Sequence, residues 1–265
     1  MVDRVHPVDI AGCYVHPCTQ DELLAVIAQS VEERRTLILS SLNLHALYVR
    51  DRKPAFRALQ ADPRTMVRID GMSVVLLART LGHKLRFAHR TAWIDWFPDL
   101  MDMVEARGWR LFYLGAGQEV QDRGLDWIRQ RCPGIVVDGH HGYFDMRPDG
   151  PENRAVLARI DAFRPHILLV GMGMGRQEQW IRDNIDRLPA HCVATCGACL
   201  EYFAGVVPTP PRALGPLGLE WAYRFASNPR RFWRRYLVEP WSVAAIVARH
   251  ALATRRRAAD GETRH

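Results

Sequence analysis

The sequence predicts an α/β fold in which a mostly parallel sheet carries helices on both faces, followed by a helical appendage at the C-terminus. Short apolar segments alternate with amphipathic helical segments over the first 205 residues, which is the pattern of βαβ crossovers. Two apolar segments, 167–170 and 192–195, are nearly continuous, as expected for strands covered on both faces. Together these observations predict a Rossmann-like domain over residues 1–205.

Six strands are predicted, at residues 36–41, 66–69, 110–114, 135–138, 166–170 and 192–196. Helices are predicted between them: from the first strand to about residue 60, after Gly71, at 93–105, from Gly117 to about 131, at 152–163 and at 177–188. Because ligands bind outside the carboxyl ends of parallel strands, functional residues are expected directly after each strand.

Residues 206–265 are interpreted as a linker and a basic appendage. Four prolines within 206–217 interrupt the helical pattern. From 224 to 265 the chain carries ten arginines and three acidic residues, whereas the rest of the chain carries 26 residues of each sign. The net charge of +7 is therefore a property of the tail, which is expected to meet an anionic partner.

The segment 230–237 separates charge from apolar surface when it is placed on a helix. Arginines occupy one side and Phe232, Trp233, Tyr236 and Leu237 the other. A basic amphipathic helix of this kind is typical of a membrane-surface element. The alternative is a helix that docks its aromatic side on the body and leaves its arginines in solvent. The adjoining segment 241–253 and the arginines at 255–257 favour the membrane.

The remaining composition predicts a cytoplasmic protein. No uncharged run reaches the roughly 18 residues that a spanning helix needs, and Asp3 and Arg4 occur where a signal peptide would be apolar. The six cysteines are expected as free thiols. Cys196 and Cys199 form a C-x-x-C without a second ligand pair at suitable spacing, so no metal site is expected.

Asp70 ends a strand on a glycine turn, which is a suitable position for a general base at the sheet edge. The alternative is an aspartate that caps the following helix. Arg90 and Asp95 lie near a loop-to-helix junction, where an arginine suits a diphosphate.

Glycine-rich turns follow two strands. The turn Gly171-Met-Gly173-Met-Gly-Arg-Gln177-Glu178 lets a backbone approach a ligand closely and precedes a helix start that favours an anion. The turn Gly115-Ala-Gly117 resembles half of a dinucleotide fingerprint, but Val120 stands where the third glycine belongs. No Asp-x-Asp occurs, so phosphate charge is expected to be met by arginines and helix ends, with no metal and no other cofactor.

With these features in order, the chain resembles the WecG/TagA/CpsF family, glycosyltransferase family 26. The resemblance extends from about residue 8 to 236 and is carried by Ser41-Leu-Asn43, Asp70-Gly-Met-Ser-Val-Val, Arg90 with Asp95, Leu114-Gly-Ala-Gly, His141-Gly-Tyr-Phe, Gly171-Met-Gly-Met-Gly-Arg-Gln-Glu-Gln-Trp, Tyr202-Phe-Ala-Gly, and Gly218-Leu-Glu-Trp-Ala-Tyr-Arg with the following Pro-Arg-Arg-Phe-Trp-Arg-Arg-Tyr. The chain departs from the usual pattern at Trp93, at 195–199 and at Glu201, which leaves the donor sugar open.

The resemblance implies an inverting transfer of a sugar from a UDP-sugar to a polyprenyl-diphosphate-linked sugar during surface polysaccharide assembly, at the inner face of the plasma membrane. It implies Asp70 as the base on the acceptor hydroxyl. The substrate pocket is expected to contain Ser41, Asn43, Arg90, Asp95, Gly171, Gly173, Gln177 and Glu178. The tail is expected to bind the diphosphate and an anionic membrane through Arg224, Arg231 and Arg234.

Two other functions compete with this interpretation. A nucleotide-dependent oxidoreductase of Rossmann type fits the alternating pattern, but the glycine fingerprint is incomplete. A nucleic-acid-binding module fits the arginine tail, but the charge is confined to one end and no recognition motif occurs, so no nucleic acid is expected. The sequence leaves open the sugar, the acceptor and whether the chain forms a homo-oligomer.

Overall fold

The computed structural model describes residues 6–211 and 213–262, with backbone only for residues 216 and 257–262. Asp3 and Arg4, position 212 of the predicted linker and residues 263–265 of the predicted appendage lie outside the described residues. Within the described part, six strands form one sheet whose neighbouring strands are all parallel. The predicted α/β class is confirmed.

The strands of this sheet are preceded by a short antiparallel hairpin of β1 (Val8–Ile10) and β2 (Cys13–Val15). The sheet consists of β3 (Leu37–Leu42), β4 (Thr65–Ile69), β5 (Arg110–Gly115), β6 (Val136–His140), β7 (Ile167–Gly171) and β8 (Cys192–Thr195). Their spatial order is β4-β3-β8-β7-β5-β6. The chain therefore leaves the β3–β4 half and continues in the β5–β6 half, which creates a topological switch beside β3 and β8, where ligands bind in such sheets.

Helices cover both faces of the sheet. Those of the body are α1 (Gln20–Glu32), α2 (Leu44–Arg52), α3 (Pro54–Ala61), α4 (Met72–Thr80), α5 (Trp93–Ala106), α6 (Gln118–Arg131), α7 (Pro151–Phe163), α8 (Arg176–Asn184) and α9 (Cys199–Phe203). The helix predicted up to residue 60 is two helices, because Pro54 begins α3 and Lys53 before it is extended. The helix predicted to residue 188 ends as a 3-10 turn at Ile185–Arg187.

The apolar core lies in separate clusters on the two faces of the sheet, because successive side chains of a strand point to opposite faces. In β5, Leu111 and Tyr113 join the apolar cluster under α1, α5 and α6, while Phe112 and Leu114 join the cluster under α7 and α8. A third cluster packs the hairpin, α2 and α4 against each other. All six cysteines are buried and free, as predicted.

The sequence reasoning missed the hairpin and α1. The hairpin turns at Ala11 and Gly12, whose φ values of 53° and 80° are both positive, as a tight hairpin turn requires. Helix α1 begins with a capping box in which Thr19 and Glu22 satisfy each other's backbone amides. This box is visible in the sequence and is the signal that the prediction overlooked.

The C-terminal segment consists of α10 (Leu214–Leu217), α11 (Glu220–Ser227), α12 (Pro229–Trp233), a π-helical turn at Arg234–Val238 and α13 (Glu239–Glu262). No helix in the described ranges is both long enough and apolar enough to cross a bilayer. We refer to the described residues 213–262 as the appendage, and to residues 6–205 as the body.

The two sides predicted for segment 230–237 do not coincide with its buried and exposed sides. Phe232, Arg235 and Tyr236 are half-buried, whereas Trp233 and Leu237 are 49% and 55% exposed beside the exposed Arg234. The less exposed surface of the segment therefore includes residues from both its charged side and its apolar side. The physical reason is that Arg235 lies near the carboxylates of Asp70 in the body and Glu239 in α13, while Tyr236 packs on aromatic rings of the appendage.

Candidate active site

The site lies where β3, β4, β7 and β8 end. The amide of Asp70 donates to the carbonyl oxygen of Leu42 at 2.9 Å, so the pairing of β3 with β4 continues one residue beyond the strand. The backbone of Asp70 is consequently as fixed as the sheet itself.

Both carboxylate oxygens of Asp70 accept a hydrogen bond. Asn43 Nδ2 donates to Oδ2 at 3.2 Å, and Arg68 Nη1 donates to Oδ1 at 3.1 Å. The amide of Asn43 is itself oriented, because its Oδ1 accepts the backbone N–H of Ala46 at 2.9 Å and caps α2. The Asp70 side chain keeps 25% of its surface exposed, so the carboxylate remains accessible to a substrate.

The environment keeps Asp70 ionised. Burial alone would raise the pKa of Asp70, but the guanidinium groups of Arg68 and Arg224, together with the hydrogen bonds from Asn43 and Arg68, hold that pKa below its usual value. An ionised carboxylate with accessible oxygen is a general base.

Two cavities meet at Asp70, with volumes of about 390 Å³ and 210 Å³. Seven residues line both: Asn43, His45, Asp70, Trp93, Cys196, Arg224 and Arg235. The larger cavity is otherwise mostly apolar and includes Met72, Ile94, Trp221, Tyr236 and Pro240. The smaller one is more polar and includes Ser41, Gly173, Gln177, Glu201 and Arg231. Asp70 thus faces two spaces of different character.

A relay of hydrogen bonds ties together two loops at the smaller cavity. Glu178 Oε2 accepts the amide of Gly175 at 2.5 Å, and Glu178 Oε1 accepts Gln177 Nε2 at 2.8 Å. Gln177 Oε1 in turn accepts the amide of Gly197 at 3.1 Å. Burial raises the pKa of Glu178 to about 7. The relay fixes the glycine-rich turn after β7 against the turn after β8.

Residues 8–257 match the family model described as the glycosyl transferase WecG/TagA/CpsF family. The chain belongs to this family. Similar proteins include the N-acetylglucosaminyldiphosphoundecaprenol N-acetyl-beta-D-mannosaminyltransferases of Staphylococcus aureus strains MRSA252 and MW2, each 32% identical over 165 residues. The matched segment covers 62% of this chain and 62% of the length of each of those relatives. The family assignment made from the sequence motifs is confirmed.

The fold brings most of the predicted residues of this WecG/TagA/CpsF family member to the two cavities. Those that line one or both are Ser41, Asn43, Asp70, Gly173, Gln177, Arg224 and Arg231. Glu178 lies one hydrogen bond behind Gln177. Gly171 is needed for close packing, because a Cβ there would come within 2.1 Å of the Tyr113 hydroxyl oxygen.

Arg90, Asp95 and Arg234 are placed elsewhere. Arg90 Nη1 donates to Asp95 Oδ2 at 2.6 Å, and Arg90 Nη2 donates to Glu220, which lines the larger cavity. Arg90 therefore joins α11 of the appendage to α5 of the body at the rim of the site. Arg234 is exposed and is not among the residues lining the two cavities. The substrate contacts predicted for these three residues remain predictions.

Sequence reasoning missed four of the seven residues that line both cavities, namely His45, Trp93, Cys196 and Arg235. His45 lies two positions after Asn43, and its Nδ1 is 2.6 Å from Glu239 Oε2 of α13. Burial and the nearby Arg235 lower the pKa of His45, and the carboxylate of Glu239 partly offsets this. Arg235 lines both cavities, whereas the neighbouring Arg234 lines neither. Within the described residues, no group of three or more His, Cys, Asp or Glu side chains is arranged to hold a metal ion.

The incomplete dinucleotide turn has a packing role. A Cβ at Gly115 would come within 2.3 Å of the carbonyl oxygen of Gly171, so glycine permits the close pairing of β5 with β7. Strand packing therefore accounts for Gly115, and no bound nucleotide is needed to explain it.

Proposed function

We propose that this protein is an inverting glycosyltransferase that transfers a sugar from a UDP-sugar to a polyprenyl-diphosphate-linked sugar. The observation that carries the proposal is the ionised Asp70 between two cavities, faced by the cationic Arg224 and Arg235. Such a site can accept a proton on one side and stabilise a leaving diphosphate on the other.

The reaction is a single displacement. The acceptor hydroxyl oxygen forms a bond to the anomeric carbon of the donor while the bond from that carbon to the diphosphate oxygen breaks, and its electron pair leaves with UDP. Asp70 takes the hydroxyl proton. The guanidinium groups of Arg224, Arg231 and Arg235 meet the negative charge that grows on the diphosphate.

We assign the donor to the smaller cavity and the acceptor to the larger one. Arg231, Gln177 and the backbone of Gly173 suit a nucleotide diphosphate in the smaller cavity. The larger cavity is lined on one side by Trp221, Tyr236 and Pro240 of the appendage, which suits a sugar attached to a lipid. Because the relatives are named as N-acetylmannosaminyltransferases, N-acetylmannosamine is the first donor sugar to test.

The appendage is proposed to rest on an anionic membrane at the inner face of the plasma membrane. Its most exposed apolar side chains, Trp241 at 78% and Leu217 at 67%, accompany Trp221, Trp233 and Leu237. Arg230 and Arg234 are exposed on the same segment. Aromatic and basic side chains together are typical of a peripheral membrane surface. We retain 1–205 and 206–265 as the proposed domain boundaries.

Turnover with defined substrates tests the transferase. UDP release is measured with UDP-N-acetylmannosamine, its uronic acid or UDP-glucose, each with a short-chain polyprenyl-diphosphate-linked N-acetylglucosamine. Release that requires the acceptor and falls about a hundredfold or more in Asp70→Asn supports the proposal. Release that survives this substitution, in a variant with the wild-type melting temperature, would rule out Asp70 as the base.

Vesicle flotation tests the membrane surface separately. Trp233→Ser with Trp241→Ser should weaken binding to vesicles containing anionic lipid while turnover of a water-soluble acceptor is kept. The matched control is Tyr143→Ser, after β6 of the body, which removes an aromatic side chain that is 77% exposed and lies outside the appendage. Equal binding by the double variant and the wild type would contradict the proposed surface.

A further inference from the structure

Arg68 is a fully buried arginine directly behind Asp70. It lies on β4 two residues before Asp70, so the two side chains leave the chain on the same side. Its Nη1 donates to Asp70 Oδ1 at 3.1 Å and also to the carbonyl oxygen of Thr91. The guanidinium group is therefore held by the backbone while it contacts the carboxylate.

Two tryptophans enclose the guanidinium group. Arg68 Cζ lies 4.9 Å from the ring centroid of Trp93 and 5.4 Å from that of Trp96. Both rings are themselves anchored, because Trp93 Nε1 donates to the carbonyl oxygen of Thr195 at 2.9 Å and Trp96 Nε1 donates to that of Thr91 at 3.1 Å. Stacking on these faces favours a cation and leaves Arg68 little freedom to turn away from Asp70.

Packing alone does not account for an arginine at this position. Its Nε and Nη2 are buried without a hydrogen-bond partner among the described residues. Leaving polar N–H groups of a cation unpaired in the interior is costly, and an apolar side chain of similar volume commonly packs there at no loss of stability. The contribution of Arg68 is therefore expected at the carboxylate that it contacts.

We propose that Arg68 is a positioning residue that holds the Asp70 carboxylate in one orientation and in its ionised form. The inference rests on the proposed role of Asp70 as the base. Arg68 on Oδ1 and Asn43 on Oδ2 together prevent rotation of the carboxylate. A carboxylate has about four acceptor positions, so the two that remain are available to the acceptor hydroxyl.

Other charged or titratable groups also face Asp70 from the elements packed around it. They are His45 of α2, Cys199 and Tyr202 of α9, Arg224 of α11, and Arg235 of the π-helical turn. Arg68 is the cation hydrogen-bonded to the carboxylate within the described chain, whereas Arg224 acts through space. Removing Arg68 should therefore change the titration of Asp70 without abolishing the positive potential of the site.

The test compares Arg68→Met and Arg68→Lys with the wild type in the full-length protein. The titration midpoint of Asp70 is followed by NMR of protein labelled with ¹³C at the aspartate carboxyl groups, and Asp70→Asn assigns the resonance. In Arg68→Met the midpoint should rise by about one pH unit or more, because a contacting positive charge has been removed. Arg68→Lys should give an intermediate value, since it retains the charge without the planar fork.

The pH profile of kcat/KM for UDP release should follow the same order. Its acidic limb should move to higher pH in Arg68→Met, and the plateau should fall about tenfold or more because the base is no longer oriented. Arg64→Met is the matched control: Arg64 lies just before β4 at the opposite end of the strand and pairs with Asp62 and Asp186. It should leave both measurements unchanged.

The outcomes separate the two proposals. An Asp70 midpoint that is the same in Arg68→Met, Arg68→Lys and wild type would overturn the role of Arg68, whatever the turnover. A shifted midpoint in a protein that turns over no substrate would leave the positioning intact and reject the proposed function. If Arg68→Met does not fold, Arg68→Lys still decides, because its loss of the fork alone should move the midpoint upward.

Discussion

The body and the appendage are held in place by different forces. All five residues of β7 are buried, as are all six of β3, and apolar clusters cover both faces of the sheet. By contrast, neither α11 nor α12 contains a buried residue. The main apolar anchors of the appendage are Val243 and Ile246 of α13, which join the cluster formed by the hairpin, α2 and α4. The body is expected to fold on its own apolar surface, while the appendage depends on the body.

Polar contacts tie the appendage to the body at several separate places. They are His45 with Glu239 at 2.6 Å, Arg231 with Glu201 at 3.2 Å, His250 with Asp9 at 3.0 Å, Arg249 with Asp51 at 3.1 Å, and Arg90 with Glu220. The first, second and last of these border the cavities. Most polar contacts between the appendage and the body therefore lie beside the cavities. Losing them should disturb the site more than it destabilises the fold of the body.

The largest difference between the two regions is expected when a charge is placed on a buried apolar side chain of each. Val170→Asp puts a carboxylate at a fully buried position of β7 and should cost more than about 4 kcal/mol of the free energy of unfolding, enough to prevent folding. Val243→Asp should instead release α13, because Val243 is buried only by docking of the appendage. Circular dichroism and chemical denaturation measure both effects.

Release of α13 should also lower the activity. Val243→Asp should retain the cooperative unfolding of the body yet lose about a hundredfold in UDP release, because Arg224 and Arg235 would no longer line the proposed diphosphate site. Val243→Ile, which keeps an apolar anchor, serves as the control. Global unfolding of Val243→Asp would mean that the two regions are one cooperative unit.

Two neighbouring arginines of the appendage, Arg234 and Arg235, should differ in their effect on activity. Arg235→Met should lower kcat/KM by about tenfold or more with a water-soluble acceptor, because Arg235 lines both cavities. Arg234→Met removes the same charge from an exposed position and should have little effect in that assay. Equal losses from the two substitutions would indicate that net charge, and not placement, supports the reaction.

The parts predictable from the sequence are those with local signals. Apolar runs, most of them followed by a glycine turn, located the six strands, and the strand ends lie within two residues of the predicted ones. Since the carboxyl ends of parallel strands share one edge, Asn43, Asp70 and Gln177 were expected near one another, and the fold brings them to one cavity.

The parts that could not be predicted depend on contacts between distant residues. His45 meets Glu239 across 194 positions of sequence, and nothing near His45 indicates that partner. Arg68 in a strand would ordinarily be placed at the surface, because its burial depends on tryptophans contributed by α5. A helical wheel separates charged from apolar residues, but it does not show which of them meets the body, which is why Arg235 was missed.

The pH dependence of stability should expose the relay behind Gln177. Burial raises the pKa of Glu178 to about 7, so between its ordinary value and pH 7 the folded state binds more protons than the unfolded state. The free energy of unfolding should therefore fall as pH rises through this interval. Glu178→Gln cannot titrate, so relative to wild type it should gain up to about 3 kcal/mol between pH 4.5 and pH 7.

Chemical denaturation of both proteins at a series of pH values checks this expectation. The difference between the two proteins cancels the titration of the other carboxylates that they share. A difference that stays constant with pH would contradict the buried, proton-binding state of Glu178. A gain that begins near pH 4.5 and levels off near pH 7 would identify the relay as a part of the body where a buried polar group is kept at the expense of stability.

The smallest effect is expected at the exposed pair of Arg249 and Asp51. Their side chains are 66% and 35% exposed, so Asp51→Asn should cost less than about 1 kcal/mol, and less still at high salt. Glu239→Gln is the matched substitution at a shielded pair, since Glu239 is 12% exposed, and it should cost more.

Proteolytic release of α13 under native conditions measures docking of the appendage in both variants. If Asp51→Asn released α13 as readily as Val243→Asp, surface charge would hold the appendage, and its attachment would weaken with ionic strength. If only Glu239→Gln and Val243→Asp do so, docking is set beside the site and at the apolar anchor, and exposed charges on α13 remain free to meet other surfaces.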